Sequence, residues 1–219
     1  MIPVVGVGAG GHAKVILDIL RQGSQYEVVA LTDSNPKLWG TSYCDVPILG
    51  DDSLLATLRP KLQYAFLGIG SVRSSALRSQ LYKMARELDF EFINAIHPTA
   101  VISPTVKMGC GVTVMAGAIV NPGVSIGDNV IINTGAIVDH DCTIADHSHI
   151  APGACLSGSV RVGRNCHVGV GACVLQGVVI GEGATIGAGA VVVRDVAPGA
   201  TVVGAPAKPL SRAPDEMNV

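Results

Sequence analysis

The sequence has few aromatic side chains, and all of them lie in its first part. Only eight of its 219 residues are Phe, Trp or Tyr, and Phe92 is the last of them. An abrupt change in composition of this kind separates regions that build different cores. It predicts a domain boundary near Asn94, with one domain over residues 1–93 and a second over residues 94–219.

The chain also lacks a strong net charge and any long hydrophobic run. Its formal net charge is −2 and its isoelectric point is about 6.3, so no global electrostatic attraction to nucleic acid is expected. No apolar stretch approaches the length of a membrane span, and the first residues lead into a strand-and-loop pattern instead of a signal peptide. We therefore expect a cytoplasmic protein with no membrane span.

What the second part does contain is a repeat. Seventeen consecutive hexapeptides run from Ile96 to Ala197 in one register. The first residue of each hexapeptide is aliphatic and the fifth is always small, while Gly, Asn and Asp are common at the places between them. A short fixed period of this kind is typical of a solenoid, in which each unit buries its apolar face against its neighbours.

The period also predicts a shape. Side chains alternate along a strand, so the fifth residue of one hexapeptide and the first of the next both point inward. A turn then follows, and three such sides close a triangular coil of three hexapeptides, so the seventeen repeats give between five and six coils. We expect an α/β N-terminal domain with a Rossmann-like parallel sheet, followed by a left-handed parallel β-helix prism.

The six cysteines include no Cys-x-x-Cys pair. Cys142 and Cys166 occupy inward places, where a thiol behaves as a small hydrophobic group. Cys155 and Cys173 are separated by three hexapeptides, so they should lie one above the other on adjacent coils. We expect free thiols in a reducing compartment, with structural disulfides or a metal site as the alternatives.

Strands and helices alternate through the first ninety residues, which favours an open parallel sheet. The turn after the first strand fits Gly-x-Gly-x-x-Gly through Gly6, Gly8 and Gly11. Asp33 follows at the spacing of roughly 20 residues that is typical of the acidic residue in a dinucleotide fingerprint. A full dinucleotide fold needs two mononucleotide-binding halves, and ninety residues are barely enough for one and a half of them. We therefore expect a nucleotide diphosphate here and a full NAD site only as an alternative. His12 either reaches that ligand or is a solvated cap.

Histidines cluster where polar residues interrupt the coil, in the segment VDHDCTIADHSHIAPG. His140 is the third residue of its hexapeptide, which places it at a corner, and Asp139 and Asp141 flank it. Imidazole accepts a proton near neutral pH, and a neighbouring carboxylate can orient it and stabilise its cation. These features predict that His140 is a general base. His149 should point outward from a strand and stack on His167.

A three-histidine metal site is the rival explanation of this cluster, and it requires three convergent imidazoles. His149 and His167 are one full coil apart, whereas His140 precedes His149 by only half a coil and so lies on a different side of the prism. We therefore expect no metal. For His147, on a turn, we expect solvent exposure and no functional role.

With these features the sequence resembles the hexapeptide-repeat sugar acyltransferases, the group that includes sialic acid O-acetyltransferases and bacillosamine and perosamine N-acetyltransferases. The resemblance covers nearly the whole chain. It implies a homotrimer with acetyl-CoA in the groove between adjacent prisms, and a nucleotide-activated amino sugar held by the N-terminal domain. It rests on the segments GAGGHAKV, INAIHPTAVISPTV, VDHDCTIADHSHIAPGACLSGSVRVG and VVGAPAKPL.

The resemblance also implies roles for single residues. His140 matches the family's general base, Asp141 its acidic partner, and His149 a histidine that contacts acetyl-CoA. The other implied contacts are Gly158, Val170 and Lys208 for coenzyme A, and Gly10, Gly11, His12 and Asp33 for the sugar nucleotide.

The reaction expected from these assignments is direct acetyl transfer to the amine of a nucleotide-linked 4-amino-4,6-dideoxy sugar. His140 would take the amine proton, and a backbone N–H would stabilise the oxyanion. An O-acetyltransferase of the sialic acid type is the alternative, because a hydroxyl acceptor needs the same base. An NAD-dependent oxidoreductase and a zinc enzyme on a similar prism are the more distant alternatives. Cys142 is not expected to act as a nucleophile, because it should point into the core.

Overall fold

The computed structural model describes residues 1–23, 25–71 and 75–210. The spacing of apolar residues predicts a helix from Ser74 to Leu88, and its first residue lies outside the described residues, as does the tail over residues 211–219. Within that part of the chain, no helix combines the length and the hydrophobicity that crossing a bilayer requires.

Six strands form the sheet of the N-terminal domain. They are β1 (Ile2–Val7), β2 (Tyr26–Thr32), β3 (Ser42–Tyr43), β4 (Val46–Gly50), β5 (Tyr64–Leu67) and β6 (Glu91–Phe92). The order across the sheet is β3-β4-β2-β1-β5-β6. All neighbours run parallel except β3 and β4. The predicted parallel sheet is therefore confirmed, with one short antiparallel strand added at its edge.

Three α-helices and two short 3₁₀ helices connect these strands. They are α1 (Gly11–Gln22), α2 (Leu55–Leu58) and α3 (Ala76–Glu87), with 3₁₀ turns at Pro36–Leu38 and Asp52–Leu54. Both faces of the sheet are covered, because Val4 of β1 belongs to one hydrophobic cluster and Val5 to the other. Burial on both faces is usual for a parallel sheet and accounts for the continuous apolar runs in its strands.

The repeats form a prism of two-residue strands, one for each hexapeptide, from β7 (Ala95–Ile96) to β23 (Val191–Val192). From β7 to β20, each strand pairs in parallel with the strand three hexapeptides further on, as in Ile131 with His149. The inward places of the central coils are fully buried, with exposures of 0% at Cys142, Ile150 and Leu156, whereas Ile96 on the first coil is 43% exposed. The predicted β-helix is confirmed, and the absence of aromatic residues is explained by its narrow aliphatic core.

The prism has three faces, which we name by what lies on them. The docking face, on which the N-terminal domain sits, contains β7, β10 (Thr113–Val114), β13 (Ile131–Ile132), β16 (His149–Ile150), β19 (His167–Val168), β22 (Thr185–Ile186) and β24 (Thr201–Val203), extended by the antiparallel β25 (Lys208–Pro209). The apolar face contains β8 (Val101–Ile102), β11 (Ile119–Val120), β14 (Ile137–Val138), β17 (Cys155–Leu156), β20 (Cys173–Val174) and β23. The polar face contains β9 (Lys107–Met108), β12 (Ser125–Ile126), β15 (Thr143–Ile144), β18 (Arg161–Val162) and β21 (Val179–Ile180).

Helix α3 carries the main side-chain contacts between the N-terminal domain and the prism. Tyr82 stacks on Phe92, with ring centroids 4.4 Å apart, and its hydroxyl donates to Asp128 Oδ2 at 3.1 Å. One turn earlier, Arg78 donates to the backbone and side-chain oxygens of Asn129. Asp128 and Asn129 form the corner between the polar and docking faces, so α3 holds the N-terminal domain on this edge.

Candidate active site

His140 lies in the turn between β14 and β15, at the corner where the apolar and polar faces meet. About half of its side chain is exposed. The turn is closed by Asp141, whose φ of 59° lies in the left-handed region. A short polar side chain tolerates this conformation better than most, which explains why Asp can occupy the place that Gly takes in many other turns of the prism.

The two neighbouring carboxylates have different roles in this turn. Asp141 Oδ2 lies 2.9 Å from His140 Nδ1. A carboxylate only accepts, so Nδ1 carries the proton and Nε2 of the neutral ring is the basic nitrogen. Asp139 Oδ1 instead accepts the backbone N–H of His140 at 2.8 Å and the amide of Asn121 at 2.8 Å. Asp141 therefore orients the ring, and Asp139 fixes the backbone beneath it.

The same contacts set the proton affinity of the ring. The hydrogen bond with Asp141, followed by the negative charge of Asp139, raises the pKa of His140 above its ordinary value. A raised pKa makes the neutral ring a stronger base towards an incoming proton. The turn is thus suited to proton abstraction.

Gly158 lies on the next coil directly beside the reactive edge of this ring. A Cβ atom built at Gly158 would come within 2.6 Å of both Cε1 and Nε2 of His140. Its φ is outside the left-handed region, so the backbone does not require glycine here. The missing side chain instead lets the His140 ring pack directly against the Gly158 backbone, while about half of the ring stays exposed to an approaching group.

Cys142 is the nearest thiol in sequence, and it points away from this space. The side chain is fully buried, and Sγ contacts the backbone oxygen of Ser157 at 3.2 Å. Burial raises the pKa of the thiol to about 11. A protonated thiol inside the core cannot serve as the nucleophile.

The glycine-rich turn of the N-terminal domain contains two kinds of glycine. At Gly6 and Gly8, a Cβ atom would collide with the side chains of Phe66 and Ile69 at 2.4 Å, so internal packing demands glycine there. At Gly10 and Gly11, a Cβ atom would meet nothing within 4 Å. These two glycines border open space at the start of α1, where a ligand can approach the backbone.

Asp33, at the end of β2, is tied to this turn. Its Oδ2 accepts the backbone N–H of Ala9 at 2.8 Å, and its Oδ1 accepts that of Asn35 at 2.9 Å. The indole of Trp39, which is 41% exposed, donates to the Asp33 carbonyl oxygen at 2.7 Å. The carboxylate therefore fixes the glycine turn, and Trp39 lies beside it, a residue that the sequence did not point to.

His149 lies next to His167 on the adjacent coil as predicted, with ring centroids 5.0 Å apart in an edge-on arrangement. It points out of the prism but is only 8% exposed, because the N-terminal domain covers it. Its Nδ1 donates to the Ser71 carbonyl oxygen at 2.9 Å, and its Nε2 accepts from Asn133 Nδ2 at 3.0 Å. Burial lowers the pKa of His149 to about 4, so the ring is neutral, consistent with this pair of contacts.

His12 lies close to this junction as well. Part of the residue is still exposed, but the protein around the ring is dense, and burial is the first cause that lowers its pKa to about 3. The charge of Arg78 and the nearby His149 lower it further. His12 is therefore a neutral imidazole between the glycine turn and the prism.

The expectation that His147 is exposed to solvent was wrong. Its ring is partly buried, 5.5 Å from the ring of Tyr82 in an edge-on arrangement, and Nδ1 lies 2.9 Å from Asn129 Nδ2. The hexapeptide register places His147 on a turn, as expected, but it carries no information about the helix that packs over that turn.

The structure brings the expected site residues together in two groups on different sides of the prism. One group is His140, Asp141 and Gly158 at the corner between the apolar and polar faces. The prism is triangular in cross-section, so this corner lies opposite the remaining side, which is the docking face with the N-terminal domain. The second group, at the docking face, contains Gly10, Gly11, His12, Asp33 and His149. Val170, which is 54% exposed, and Lys208 lie outside both groups, at the corner between the docking and apolar faces and on β25.

Comparison with known proteins gives matches to both parts of the chain. Residues 4–85 match the family model of the PglD N-terminal domain, and residues 93–211 match that of the GMPPB C-terminal domain. Over 112 residues the chain is 36% identical to a UDP-N-acetylbacillosamine N-acetyltransferase from Bacillus subtilis (strain 168). That match spans about half of this chain and about half of the length of that relative.

Solved structures match over nearly the whole chain. A histidine mutant of perosamine N-acetyltransferase from Caulobacter crescentus, in complex with CoA and GDP-perosamine, is 43% identical with a TM-score of 0.90, covering 96% of this chain and 97% of that one. The acetyltransferase domain of PglB from Neisseria gonorrhoeae FA1090, in complex with acetyl coenzyme A, is 39% identical with a TM-score of 0.87, covering 95% and 98%.

Proposed function

This chain belongs to the hexapeptide-repeat sugar acyltransferase family, and from that premise we propose that it is an acetyl-CoA-dependent N-acetyltransferase. Its proposed acceptor is the amine of a nucleotide-linked 4-amino-4,6-dideoxy sugar. The observation that carries the proposal is the arrangement of His140. Asp141 holds the proton on Nδ1, so Nε2 is the basic nitrogen of a half-exposed ring that packs against Gly158.

About half of the His140 side chain is exposed, so a thioester and an amine can approach Nε2 from the solvent side of this corner. Acetyl-CoA supplies the activated acetyl group. His140 Nε2 accepts the proton that the amine loses as its nitrogen bonds to the acetyl carbon and the thiolate departs. Asp141 then stabilises the imidazolium through Nδ1, and a backbone N–H donor at this corner serves the developing oxyanion. Cys142 takes no part, so the transfer is direct.

We also propose that the enzyme is a homotrimer with each active site shared between chains. Within one chain, the glycine turn and His140 lie on different sides of the prism, so a sugar held at the glycine turn does not reach its own chain's base. A neighbouring prism packed against the corner would bring the two groups together. Gly158, Val170, His149 and Lys208 are the proposed coenzyme A contacts along the resulting groove.

The apolar face supports this assembly. Its outward side chains form a continuous row along the prism: Val101, Ile119, Ile137, Cys155, Cys173 and Val191. Val101 is 63% exposed and Ile137 37%. By contrast, the outward positions of the polar face include Lys107, Thr143 and Arg161. An exposed apolar row of this length is typical of a protein interface.

The proposed division of labour follows the two domains, 1–93 for the nucleotide sugar and 94–219 for acetyl transfer. Gly10, Gly11, His12 and Asp33 form the proposed nucleotide-sugar site. The cytoplasm is the compartment in which we expect the enzyme to act. The six cysteines are free thiols, which suits a reducing compartment of this kind.

A thiol-release assay tests the proposed activity. The protein is incubated with acetyl-CoA and a panel of UDP- and GDP-linked 4-amino sugars, with free sialic acid as the hydroxyl acceptor. We expect CoA release with one of the amino sugars, and a loss of roughly 10²–10⁴-fold in turnover for His140→Ala. Release with sialic acid alone would instead identify an O-acetyltransferase, and full activity of His140→Ala would remove His140 as the base.

Subunit complementation tests the shared site. His140→Ala and Asp33→Ala chains are each expected to be impaired, the first in turnover and the second in nucleotide-sugar binding. When the two chains are co-expressed with different affinity tags, mixed trimers should recover part of the activity, because some sites combine an intact His140 with an intact Asp33. The shared site would be contradicted if acetyl transfer recovered in monomeric protein, or if purified mixed trimers recovered none of it.

A further inference from the structure

Arg78 is a buried cation without an acidic partner. It lies on the first turn of α3 and is only 2% exposed. Within residues 1–23, 25–71 and 75–210, no carboxylate forms an ion pair with it. Burial lowers the pKa of its guanidinium to about 9, which still leaves it charged at neutral pH. A buried charge without a counter-ion is costly, so it persists where its contacts serve a purpose.

Those contacts connect three parts of the chain. Nη2 donates to both oxygens of Asn129 on the prism, and Nη1 donates to Ser71 Oγ at 3.2 Å. Ser71 in turn accepts the Nδ1–H of His149 on its carbonyl oxygen. The segment 68–71 is thus held from one side by Arg78 and from the other by the docking face of the prism.

The segment 68–71 also forms the wall behind the glycine turn. A Cβ atom at Gly68 would lie 2.2 Å from the Gly8 carbonyl oxygen, and one at Gly8 would lie 2.4 Å from Ile69. One residue further, the position of a Gly70 Cβ is 3.7 Å from the Cβ of His12. Because these parts are in direct contact, a shift of the segment would move the glycine turn and His12 with it.

The charge of Arg78 reaches three histidines at this junction. It lowers the pKa of His12, of His147 and of His149, in each case after the larger effect of burial. The neutral state matters most for His149, since its Nε2 accepts from Asn133 and would lose that bond on protonation. Arg78 therefore acts on the junction by its hydrogen bonds and by its charge.

We propose that Arg78 is a positioning residue for the nucleotide-sugar site, fixing the segment 68–71 and thereby the glycine turn against the prism. This inference rests on the proposed function, because it presumes that the glycine turn binds the diphosphate of the acceptor sugar nucleotide. Arg78 itself is buried and does not touch that ligand. Its effect is on the shape of the site and on the neutral state of the imidazoles around it.

Two substitutions separate its hydrogen bonds from its charge. Arg78→Lys keeps a cation but loses the planar fork that reaches Ser71 and Asn129 together. Arg78→Gln loses the charge and most of the fork. We expect both to raise the KM for the nucleotide sugar at least about tenfold, with the KM for acetyl-CoA unchanged, since a small displacement of positioning groups has effects of this size. Lys83→Gln, which removes an exposed cation from the same helix, is the matched control and should leave both constants unchanged.

Histidine NMR titration supplies a readout that a merely structural role would not produce. Arg78→Gln should raise the pKa values of His12, His147 and His149, whereas Arg78→Lys should leave them low. His140 lies away from the junction, so its titration should be the same in all variants. Ser71→Ala, which removes only the hydroxyl that Arg78 contacts, tests the same link by a milder change if either Arg78 variant fails to fold.

The outcomes are distinct. If the wild-type protein acetylates an amino sugar and folded Arg78→Lys and Ser71→Ala proteins have unchanged KM values for it, Arg78 is not a positioning residue. If the pKa values of the three histidines are also the same in Arg78→Gln and Arg78→Lys, the charge of Arg78 has no effect on them. A wild-type protein that neither binds nor acetylates any nucleotide sugar would instead refute the proposed function, and the inference about Arg78 with it.

Discussion

Gly158→Ala should disable the catalytic corner without disturbing the fold. The added Cβ would lie 2.6 Å from Cε1 and Nε2 of His140, whereas carbon atoms in ordinary contact are about 3.5–4.0 Å apart. The ring must therefore retreat by about 1 Å, and a displacement of this size can reduce turnover about 10²-fold. We expect a turnover loss of at least that factor.

The backbone should accept this substitution. The φ of Gly158 is outside the left-handed region, and Gly→Ala changes at compatible positions are stabilising by roughly 0.4–1 kcal/mol. The half-exposed ring of His140 can yield to the methyl group without affecting the core. The melting temperature should thus stay close to that of the wild type.

The assay is CoA release by Gly158→Ala, His140→Ala and the double variant. If the methyl group acts only through His140, the double variant should be no slower than His140→Ala, because the two changes remove the same function. Wild-type turnover of Gly158→Ala would refute the reasoning. So would losses that multiply in the double variant, since Gly158 would then act independently of the ring.

Three further predictions concern neighbouring groups. Asp141→Asn replaces the charged acceptor that raises the pKa of His140 with a neutral amide oxygen, and since the base works deprotonated, the acid limb of the turnover profile should move to lower pH; an unmoved limb would contradict the assignment. Cys142→Ala should keep turnover within about twofold and cost stability of the order of 1 kcal/mol, and a large loss of activity would reopen a covalent mechanism. Ile150→Ala, at a fully buried position, should lower the free energy of unfolding by about 2–5 kcal/mol in denaturant titrations, and a negligible change would show that the core tolerates voids.

The prism and its internal geometry could be predicted from the sequence because one period governs them. Moving three hexapeptides along the chain gives the neighbour on the next coil, and the pairs His149–His167 and Cys155–Cys173 follow this rule. The register also decides which side chains point inward, which is why Cys142 could be assigned to the core before its burial was known. These are local consequences of repetition, independent of the rest of the chain.

What covers the prism could not be predicted in the same way. His147 and His149 point outward as the register requires, yet the N-terminal domain packs over both. The burial of Arg78 was even harder to predict, because arginine is usually exposed and nothing in the residue spacing of α3 distinguishes this one. Contacts between domains depend on surfaces that are distant in sequence, and a single sequence contains no periodic pattern that reports them.

The ladder of coils has a practical consequence for altering substrate preference. The residues stacked with His140 at its corner are Pro122, Gly158 and Gln176, which are far from it in sequence. Randomising a continuous window around His140 would mostly change strands that build the core. A library that varies the same corner position in each successive coil would instead change the side chains that surround the active site and leave the core of the prism unaltered.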